Sequence, residues 1–251
     1  WQPVPGPVRI RLWLRGGLSL AVYIVTFNWA LRFTSASRVT LLLAASPLWA
    51  LWGEAPVTGR RELMRRLLAV LLTLLGVGVL VWPALRGSTA GWMGDALGIL
   101  ASLLWANYGH QCRALGDCLH GAEITAHTMW RAAVWLAPVA ALEAAGRQLP
   151  WRADLALVQG YCVVGGGVIA FALWANALRH WETSRVLLFN NLIPVSTMAW
   201  AGVWLGEPLT PTFVLALGLI SGGVLLGQWP PRRDAASPVP PAPPSGQAAP
   251  P

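Results

Sequence analysis

The stretch ALRFTSASRVTLLLAASP at residues 30–47 returns at residues 177–194 as ALRHWETSRVLLFNNLIP. Ala30-Leu31-Arg32, Ser37-Arg38-Val39 and Pro47 all recur 147 residues later, and Trp82-Pro83 recurs at the same offset as Trp229-Pro230. Internal repeats determine architecture before local patterns do. The sequence therefore predicts a chain built from two related halves.

Composition indicates that both halves lie in lipid. The chain has 251 residues, of which 55% are hydrophobic and only 11% charged, whereas a soluble domain carries about 25% charged residues. Apolar runs long enough to consider as membrane spans form eight segments, at residues 16–31, 39–57, 63–82, 92–111, 124–144, 155–178, 186–205 and 213–229. We expect an all-α integral membrane protein surrounded by the lipid bilayer.

The arginines predict how the chain is oriented. All eighteen basic residues are arginines, and they are scattered between the apolar runs rather than clustered on one face, which argues against a nucleic-acid partner. The N-terminus and every second loop hold more than twice as many arginines as the opposite loops. Because cytoplasmic loops are enriched in basic residues, we expect a multi-pass protein of the inner membrane with both termini in the cytoplasm.

The offset of the repeat also predicts its symmetry. It maps segments one to three onto segments six to eight, a shift of five spans, and an odd shift reverses the direction in which a segment crosses the membrane. Inverted-topology repeats are typical of secondary transporters. Segments four and five have no counterparts in the sequence, so we expect ten helices in two inverted five-helix repeats, with eight visible here and two preceding Trp1.

This organisation divides the chain into four regions. Residues 1–15 are predicted to be a cytoplasmic N-terminal stub and residues 16–84 a partial first repeat of three helices. Residues 91–229 form a complete second repeat of five helices. Residues 230–251 are rich in Pro and Ala without apolar periodicity, which predicts a disordered tail.

Several stretches carry a family resemblance. They are NWALRFTSASRVTLLLAASPLWAL at 28–51, LLTLLGVGVLVW at 71–82, GILASLLWANYGHQCRAL at 98–115, NALRHWETSRVLLFNNLIPVSTMAWAGVWLGEPLTP at 176–211 and LALGLISGGVLLGQW at 215–229. Together they resemble the EamA-type drug/metabolite transporters, with the first two helices missing. The resemblance implies a transporter of small metabolites, an exporter working by alternating access, present as a monomer or a homodimer.

Polar residues inside the predicted spans are candidates for the substrate path, because such residues are costly in lipid. Pro47 and Pro194 lie in equivalent helices, where a kink could expose backbone carbonyls or only shape the packing. Asn190 and Asn191 precede Pro194 by one turn and could bind a substrate carboxylate or the neighbouring helix.

Further candidates lie in the second half of the chain. His127 and Arg131 share one helical face with Glu123, where Arg131 could attract an anion or extend to the membrane surface and His127 could relay protons. Aromatic side chains could stack on an apolar or aromatic solute or merely pack the helices. They are Trp105, Tyr108, Tyr161 and Trp174.

The sequence predicts neither a cofactor nor a metal site. Two Cys–His pairs, His110 with Cys112 and Cys118 with His120, have spacings unlike those of zinc sites. An integral-membrane lipid-modifying enzyme would need a polar cluster at one interface, and none is evident, so we expect no enzyme. The remaining alternative is a non-transporting membrane scaffold or a truncated relic of a carrier. For a transporter, an amino acid or an amine is the expected small-molecule substrate.

Overall fold

Eight helical segments, with no strand among them, make up residues 4–86, 91–145, 152–205 and 210–229, the part of the chain that the computed structural model describes. In chain order they are α1 (Gly6–Phe33), α2 (Ala36–Leu43 and Ser46–Glu54), α3 (Arg60–Arg86), α4 (Trp92–Leu115), α5 (Gly121–Ala144), α6 (Ala153–His180), α7 (Thr183–Asn190 and Ile193–Leu205) and α8 (Pro211–Gln228). The predicted tail at 230–251 lies outside the described residues.

Five of these helices are long and apolar enough to cross a bilayer, within the described ranges. They are α1, α3, α6, α8 and the part of α7 from Thr183 to Trp204. The prediction of an all-helical, multi-pass membrane protein is confirmed at this level.

The first helix begins ten residues before the apolar run that predicted it. Pro5 precedes the first helical residue, Gly6, and a second proline follows at the start of the first turn. Proline suits that place, because amides of the first turn have no partner within the helix. Helical structure therefore continues through the arginine-rich stretch before Gly16, where a hydropathy pattern alone does not detect it.

Both α2 and α7 are broken, and the breaks lie 147 residues apart. The helix of α2 is interrupted at Ala44 and Ala45, and that of α7 at Asn191 and Leu192. At each break a backbone N–H donates to the carbonyl oxygen of the residue three positions earlier. The N···O distance is 3.2 Å from Ala45 to Leu42 in α2 and 3.0 Å from Leu192 to Phe189 in α7. The repeat seen in the sequence is therefore a repeat of backbone geometry.

The two prolines of the repeat lie just after these breaks. Pro47 and Pro194 are each the second residue of the helical half that follows. Proline cannot donate a backbone hydrogen bond, but the first turn of a helix does not require that donor. The expected kink is thus a restart of the helix, with proline at its beginning.

The third and last helices pack closely and run antiparallel. A Cβ on Gly76 would lie 2.6 Å from Cγ1 of Ile220, and a Cβ on Gly223 would lie 2.6 Å from Cγ2 of Thr73. From the contact of Thr73 to that of Gly76 the residue number rises in α3, while that of the partner in α8 falls from Gly223 to Ile220, so the two helices run in opposite directions. The two contacts are also reciprocal, because Ile220 and Gly223 lie 147 residues beyond Thr73 and Gly76.

The equivalent helices α1 and α6 differ in how they are covered. α1 packs along α4 and α5 and supplies Leu12 and Leu20 to a buried core that includes Tyr108 and Ile124. No residue of α6 between Ala153 and Ala170 is buried. One copy of this helix is therefore enclosed, while half of the other is exposed.

Candidate functional site

A cavity of about 220 Å³ lies where the breaks of α2 and α7 face each other. Four helices contribute to its wall, namely α1, α2, α4 and α7. The lining residues are Tyr23, Phe27, Thr40, Leu43, Ala44, Ser46, Trp105, Asn190, Asn191, Ile193 and Pro194. Helix breaks at membrane depth are characteristic of transporter binding sites.

Asn191 joins the two breaks. Its Nδ2 donates to the carbonyl oxygen of Ala44 at 3.3 Å and to Oγ1 of Thr73 at 2.9 Å, and the residue is 2% exposed. Ala44 is the residue equivalent to Asn191 in the first half. One amide therefore satisfies a carbonyl that the α2 break frees and fixes the distance between the broken helices.

Two other polar side chains lie at the cavity. Ser46 is 1% exposed, and its hydroxyl has no hydrogen-bond partner among the described residues. Asn190 lines the same wall. A buried hydroxyl without a partner is costly, so the Ser46 hydroxyl is suited to pair with a solute or a water in the cavity.

Aromatic rings form the opposite part of the wall. The ring of Tyr23 lies 4.9 Å from that of Trp105 and stacks on that of Phe27 at 5.9 Å, measured between centroids. Trp174 stacks on Trp105 at 4.8 Å, and Tyr108 stacks on Trp174 at 5.7 Å. The cavity thus has a flat apolar side supported by a second aromatic layer.

Among the residues that the structure describes, the lining holds no Asp, Glu, Lys, Arg or His. Burying an ionic group without a counter-charge is strongly unfavourable. A wall of this composition is suited to a solute with no net charge that carries a hydrogen-bonding group and an apolar part.

A cluster of charges closes one end of the helix bundle, where α2 ends and α3 and α7 begin. We call it the Glu62 network, and its members are Glu54, Glu62, Arg65, Arg66, Glu182 and Arg185. The opposite end, where α2 and α4 begin, is called the Asp95 end, because Asp95 there pairs with Arg38.

Arg66 is the centre of the Glu62 network. Its guanidinium lies 2.7 Å from Glu62, 3.0 Å from Glu182 and 3.3 Å from Glu54, and its side chain is 5% exposed. Glu62 also pairs with Arg185 at 3.0 Å. The network therefore connects α2 and α3 of the first half to the start of α7 in the second.

Glu54 also caps a helix of the other half. Its Oε1 accepts the backbone N–H of Ser184 at 3.0 Å, and its Oε2 accepts the Ser184 hydroxyl. Ser184 is the second residue of α7, where the helix dipole favours a negative charge. The end of α2 is thus attached to the beginning of α7.

The environment of Glu182, in the connection between α6 and α7, favours its ionised form. Burial disfavours the charge, but a hydrogen bond to its own backbone and the guanidinium of Arg66 outweigh that cost and lower the pKa of Glu182 below its usual value. The network is therefore charged near neutral pH at this position.

The structure brings most of the predicted path residues to one place. Trp105, Asn190, Asn191 and Pro194 line the cavity. Tyr108 and Trp174 stack behind Trp105 rather than lining the cavity, and Pro47 adjoins the lining residue Ser46.

Three predicted path residues lie elsewhere. Tyr161 is 79% exposed on the outer face of α6. Arg131 is buried against α1, where it donates to the carbonyl oxygen of His127 at 2.9 Å and lies 4.3 Å from the centre of the Trp130 ring. Neither Arg131 nor His127 lines the cavity.

Sequence reasoning missed part of the site. Ser46, Tyr23 and Phe27 were not singled out, although Ser46 directly precedes the repeated Pro47. The Glu62 network was also missed, since its members come from the ends of separate helices and one connection, and their meeting depends on the tertiary fold. Within the described ranges, no group of three His, Cys, Asp or Glu residues is arranged to hold a metal ion.

Comparisons with known proteins agree with this geometry. A probable terminal-alkyne amino-acid exporter from Streptantibioticus cattleyicolor is 25% identical over 215 residues, which cover 85% of this chain and 71% of that protein. A probable amino-acid metabolite efflux pump from Salmonella typhimurium is 25% identical over 199 residues, covering 76% of this chain and 67% of that protein. A crystal structure with a TM-score of 0.73 and 19% identity covers 90% of this chain and 77% of its own and supports the fold.

A family model matches the second half of the chain. The model of the EamA-like transporter family matches residues 92–227, more than half of the sequence. This match confirms the resemblance noted in the repeated stretches and points to a transporter rather than an enzyme. The chain belongs to the EamA-like transporter family.

Proposed function

We propose that this protein exports small metabolites of the amino-acid or amine type, foremost amino acids with no net charge, by alternating access to the cavity between the broken helices. The observation that carries the proposal is the uncharged cavity at the crossing of α2 and α7. Its volume of about 220 Å³ equals that of about seven waters at ~30 Å³ each. That volume suits a small metabolite.

The chemistry of the wall supports a solute with two different faces. Ser46 and Asn190 offer hydrogen bonds on the side of the helix breaks, and Tyr23, Phe27 and Trp105 offer an aromatic surface on the other side. The amino group and carboxylate of a zwitterion carry no net charge together. An amino acid with an apolar side chain fits these requirements.

Inverted repeats are the second part of the proposal. The antiparallel packing of α3 and α8, which are equivalent in the two halves, supports opposite orientations of these halves. The matched breaks in α2 and α7 support a common ancestor for both. In such proteins, substrate binds between the repeats, which rock about it.

We further propose the arrangement predicted from the sequence, with ten helices in two repeats of five. Helices α4 and α5 pack against α1 and bury it. In the equivalent helix α6, the described residues from Ala153 to Ala170 are not buried by any such pair of helices. A second pair of helices packed on α6 would make the two halves alike. Residues 16–84 would then belong to the first repeat and residues 91–229 form the second.

Two observations support the proposed direction of transport and the proposed location. The similar proteins from Streptantibioticus cattleyicolor and Salmonella typhimurium are named as an exporter and an efflux pump. The excess of arginines in alternate loops supports cytoplasmic termini in an inner membrane, with the Glu62 network at the cytoplasmic end. The protein would act as a monomer or a homodimer, without a nucleic-acid partner.

A transport assay with matched variants tests the function. Cells producing the protein are compared with control cells by untargeted analysis of the medium, and the exported compound is then assayed in vesicles. We expect S46A and N190A to lower the flux of that compound by about tenfold each, as for the loss of one useful hydrogen bond, with unchanged membrane insertion.

Two results would count against the proposal. One is the absence of any difference in exported compounds between producing and control cells. The other is wild-type flux in both S46A and N190A, which would place the solute outside this cavity. The variant S196A is a suitable control, because Ser196 is exposed on α7 and its hydroxyl donates to the carbonyl oxygen of Ile193 in the same helix.

A further inference from the structure

The cavity surrounds the helix breaks, with Ser46 and Asn190 next to them on the Glu62 side and four further residues on the Asp95 side. Thr40 and Leu43 precede the break in α2, and Ile193 and Pro194 follow the break in α7. Because α2 runs away from the Asp95 end and α7 runs towards it, all four residues lie on the Asp95 side of the breaks.

On the other side of the breaks, a group of buried polar atoms leads towards the Glu62 network. These atoms have no hydrogen-bond partner among the described residues, and they are Nε1 of Trp49, Nε1 of Trp174, Nε2 of His110 and Oγ1 of Thr183. We call them the unpaired polar path. Buried polar atoms are rarely left unpaired in a finished core.

Helix α4 carries His110 and lies against Thr183 and Trp174, and Trp49 packs against the same small core cluster as Trp174. A Cβ on Gly109 would lie 2.7 Å from Cγ2 of Thr183 and 3.9 Å from the Trp174 ring, and a Cβ on Gly53 would lie 2.9 Å from Nε2 of His110. Trp174 in turn stacks on Trp105 in the cavity wall. The unpaired polar path therefore runs from the back of the cavity to the start of α7.

The Glu62 network lies directly beyond Thr183. Ser184, the next residue, is held by Glu54 through its backbone N–H and its hydroxyl. Arg66 holds Glu182, the residue before Thr183, at 3.0 Å. Both sides of Thr183 are thus attached to the first half of the protein.

We propose that the unpaired polar path is the closed half of the solute route and that the Glu62 network is the gate that seals it. The inference rests on the proposed transport function and adds the residues that hold one end shut. Opening at this end requires the start of α7 to leave α2 and α3, which breaks the contacts of Arg66 and Glu62 with the second half. Solute or water then pairs with the polar atoms of the path.

The Asp95 end is closed by fewer charges. Arg38 donates to Asp95 through Nε at 2.9 Å and through Nη2, and Thr34 donates to the same carboxylate. The other ion pair at this end among the described residues joins Arg152 to Asp154, which are exposed and only two residues apart, so it does not connect two helices. The structure therefore represents the state in which the Glu62 end is the more firmly closed.

Cysteine labelling tests the gate without knowledge of the solute. The background is the full-length protein with C118S and C162S, which removes the two exposed cysteines. In this background, T183C places a reporter thiol on the unpaired polar path. A membrane-impermeant maleimide is then applied to intact spheroplasts or to inverted vesicles. We expect slow labelling of T183C from both sides. Adding E62Q, which removes the charge paired with Arg65, Arg66 and Arg185, should speed labelling from the Glu62 side about tenfold.

Matched variants keep the test decisive. D154N removes one charge from the exposed pair of Arg152 and Asp154, whose side chains are 66% and 60% exposed, and should leave T183C labelling unchanged. If E62Q does not fold, E54Q takes its place, because Glu54 holds both Arg66 and Ser184. A variant T40C, on the Asp95 side of the cavity, should be labelled from the Asp95 side at a rate that E62Q does not raise.

The outcomes separate the gate from the transport proposal. Rapid labelling of T183C from the Glu62 side in wild-type background would overturn the gate, as would equal labelling in E62Q, E54Q and D154N. These results do not depend on any solute, so a missing flux would contradict the transport function alone.

Discussion

The two places where the halves of this protein meet have diverged to different degrees. At the crossing of α3 and α8, Gly76 and Gly223 occupy equivalent positions and make reciprocal contacts. At the crossing of α2 and α7, the backbone breaks are equivalent, but Asn191 stands opposite Ala44, its own counterpart. At the first crossing the contact glycine is the same in both halves, whereas at the second the bridging residue differs although the backbone break is the same.

This difference indicates that packing constrains the residues at the crossing of α3 and α8, whereas the cavity constrains those at the crossing of α2 and α7. Helices that only hold the halves together can keep the same small residues, because close packing between membrane helices depends on them. Helices that line a cavity for an asymmetric solute need different groups on the two sides. The polar amides thus come from α7, and the buried hydroxyl of Ser46 comes from α2.

Overpacking the symmetric crossing should have the largest effect. A valine at Gly223 would place atoms against Thr73 and within 2.8 Å of the Ala69 carbonyl oxygen, so G223V should lower stability by about 1–3 kcal/mol. Thermal unfolding in detergent measures the loss. G76V should cost a similar amount, because its contact is the reciprocal one.

The adjacent glycine is the control. A Cβ on Gly222 has no neighbour within 4 Å, so G222V tests the helix without the crossing. Equal melting temperatures for G222V and G223V would show that α3 and α8 do not pack as described.

Removing the amide at the second crossing should have a smaller effect. N191L loses the hydrogen bonds to the Ala44 carbonyl and to Thr73 and should destabilise the protein by about 1 kcal/mol, the usual scale of such bonds in membranes. In the control N28L, only a bond to Ile24 within the same helix is lost. If the two variants unfold at the same temperature, the bridge between the breaks contributes nothing.

Exchanging the residues of the second crossing sharpens the comparison. The double variant with A44N and N191A offers the same amide from the other side, towards the carbonyl of residue 191. The residue equivalent to Thr73 is Ile220, which offers no hydroxyl, so only one of the two bonds can be restored. We expect the double variant to regain about half of the stability that N191A loses, as measured by thermal unfolding. If the double variant is no more stable than N191A, the two breaks are not equivalent in space.

The prolines should have the smallest effect on stability. P47A and P194A each replace a residue of a first helical turn, so both should unfold within about 0.5 kcal/mol of the wild type. Flux should differ, because Pro194 lines the cavity and Pro47 does not. We expect lower transport in P194A and wild-type transport in P47A, and equal flux in both would remove Pro194 from the solute path.

Much of the fold followed from the sequence, because its signals are local or repeated. Apolar runs placed all eight helical segments, and the offset of 147 residues located the matched breaks. Helix ends were less predictable, as at Gly6, since arginines outside the bilayer remain compatible with a helix.

The site was only partly predictable, because its members meet through tertiary packing. Asn190 and Asn191 were found from their polarity in an apolar segment, and Pro194 was found from its recurrence in the repeat. The pairing of Glu54 with Ser184, residues that lie far apart in the sequence, has no local signal. The orientation of α5 towards α1, which takes His127 and Arg131 away from the cavity wall, has none either.

The central claim, that the two halves lie inverted in the membrane, has one direct test. Phe33 and His180 are exposed, equivalent residues at the ends of α1 and α6. Single cysteines at these positions, in full-length protein with C118S and C162S, are labelled with an impermeant maleimide in spheroplasts and in inverted vesicles. The account predicts labelling of F33C and H180C from opposite faces of the membrane, and labelling of both from the same face would contradict it.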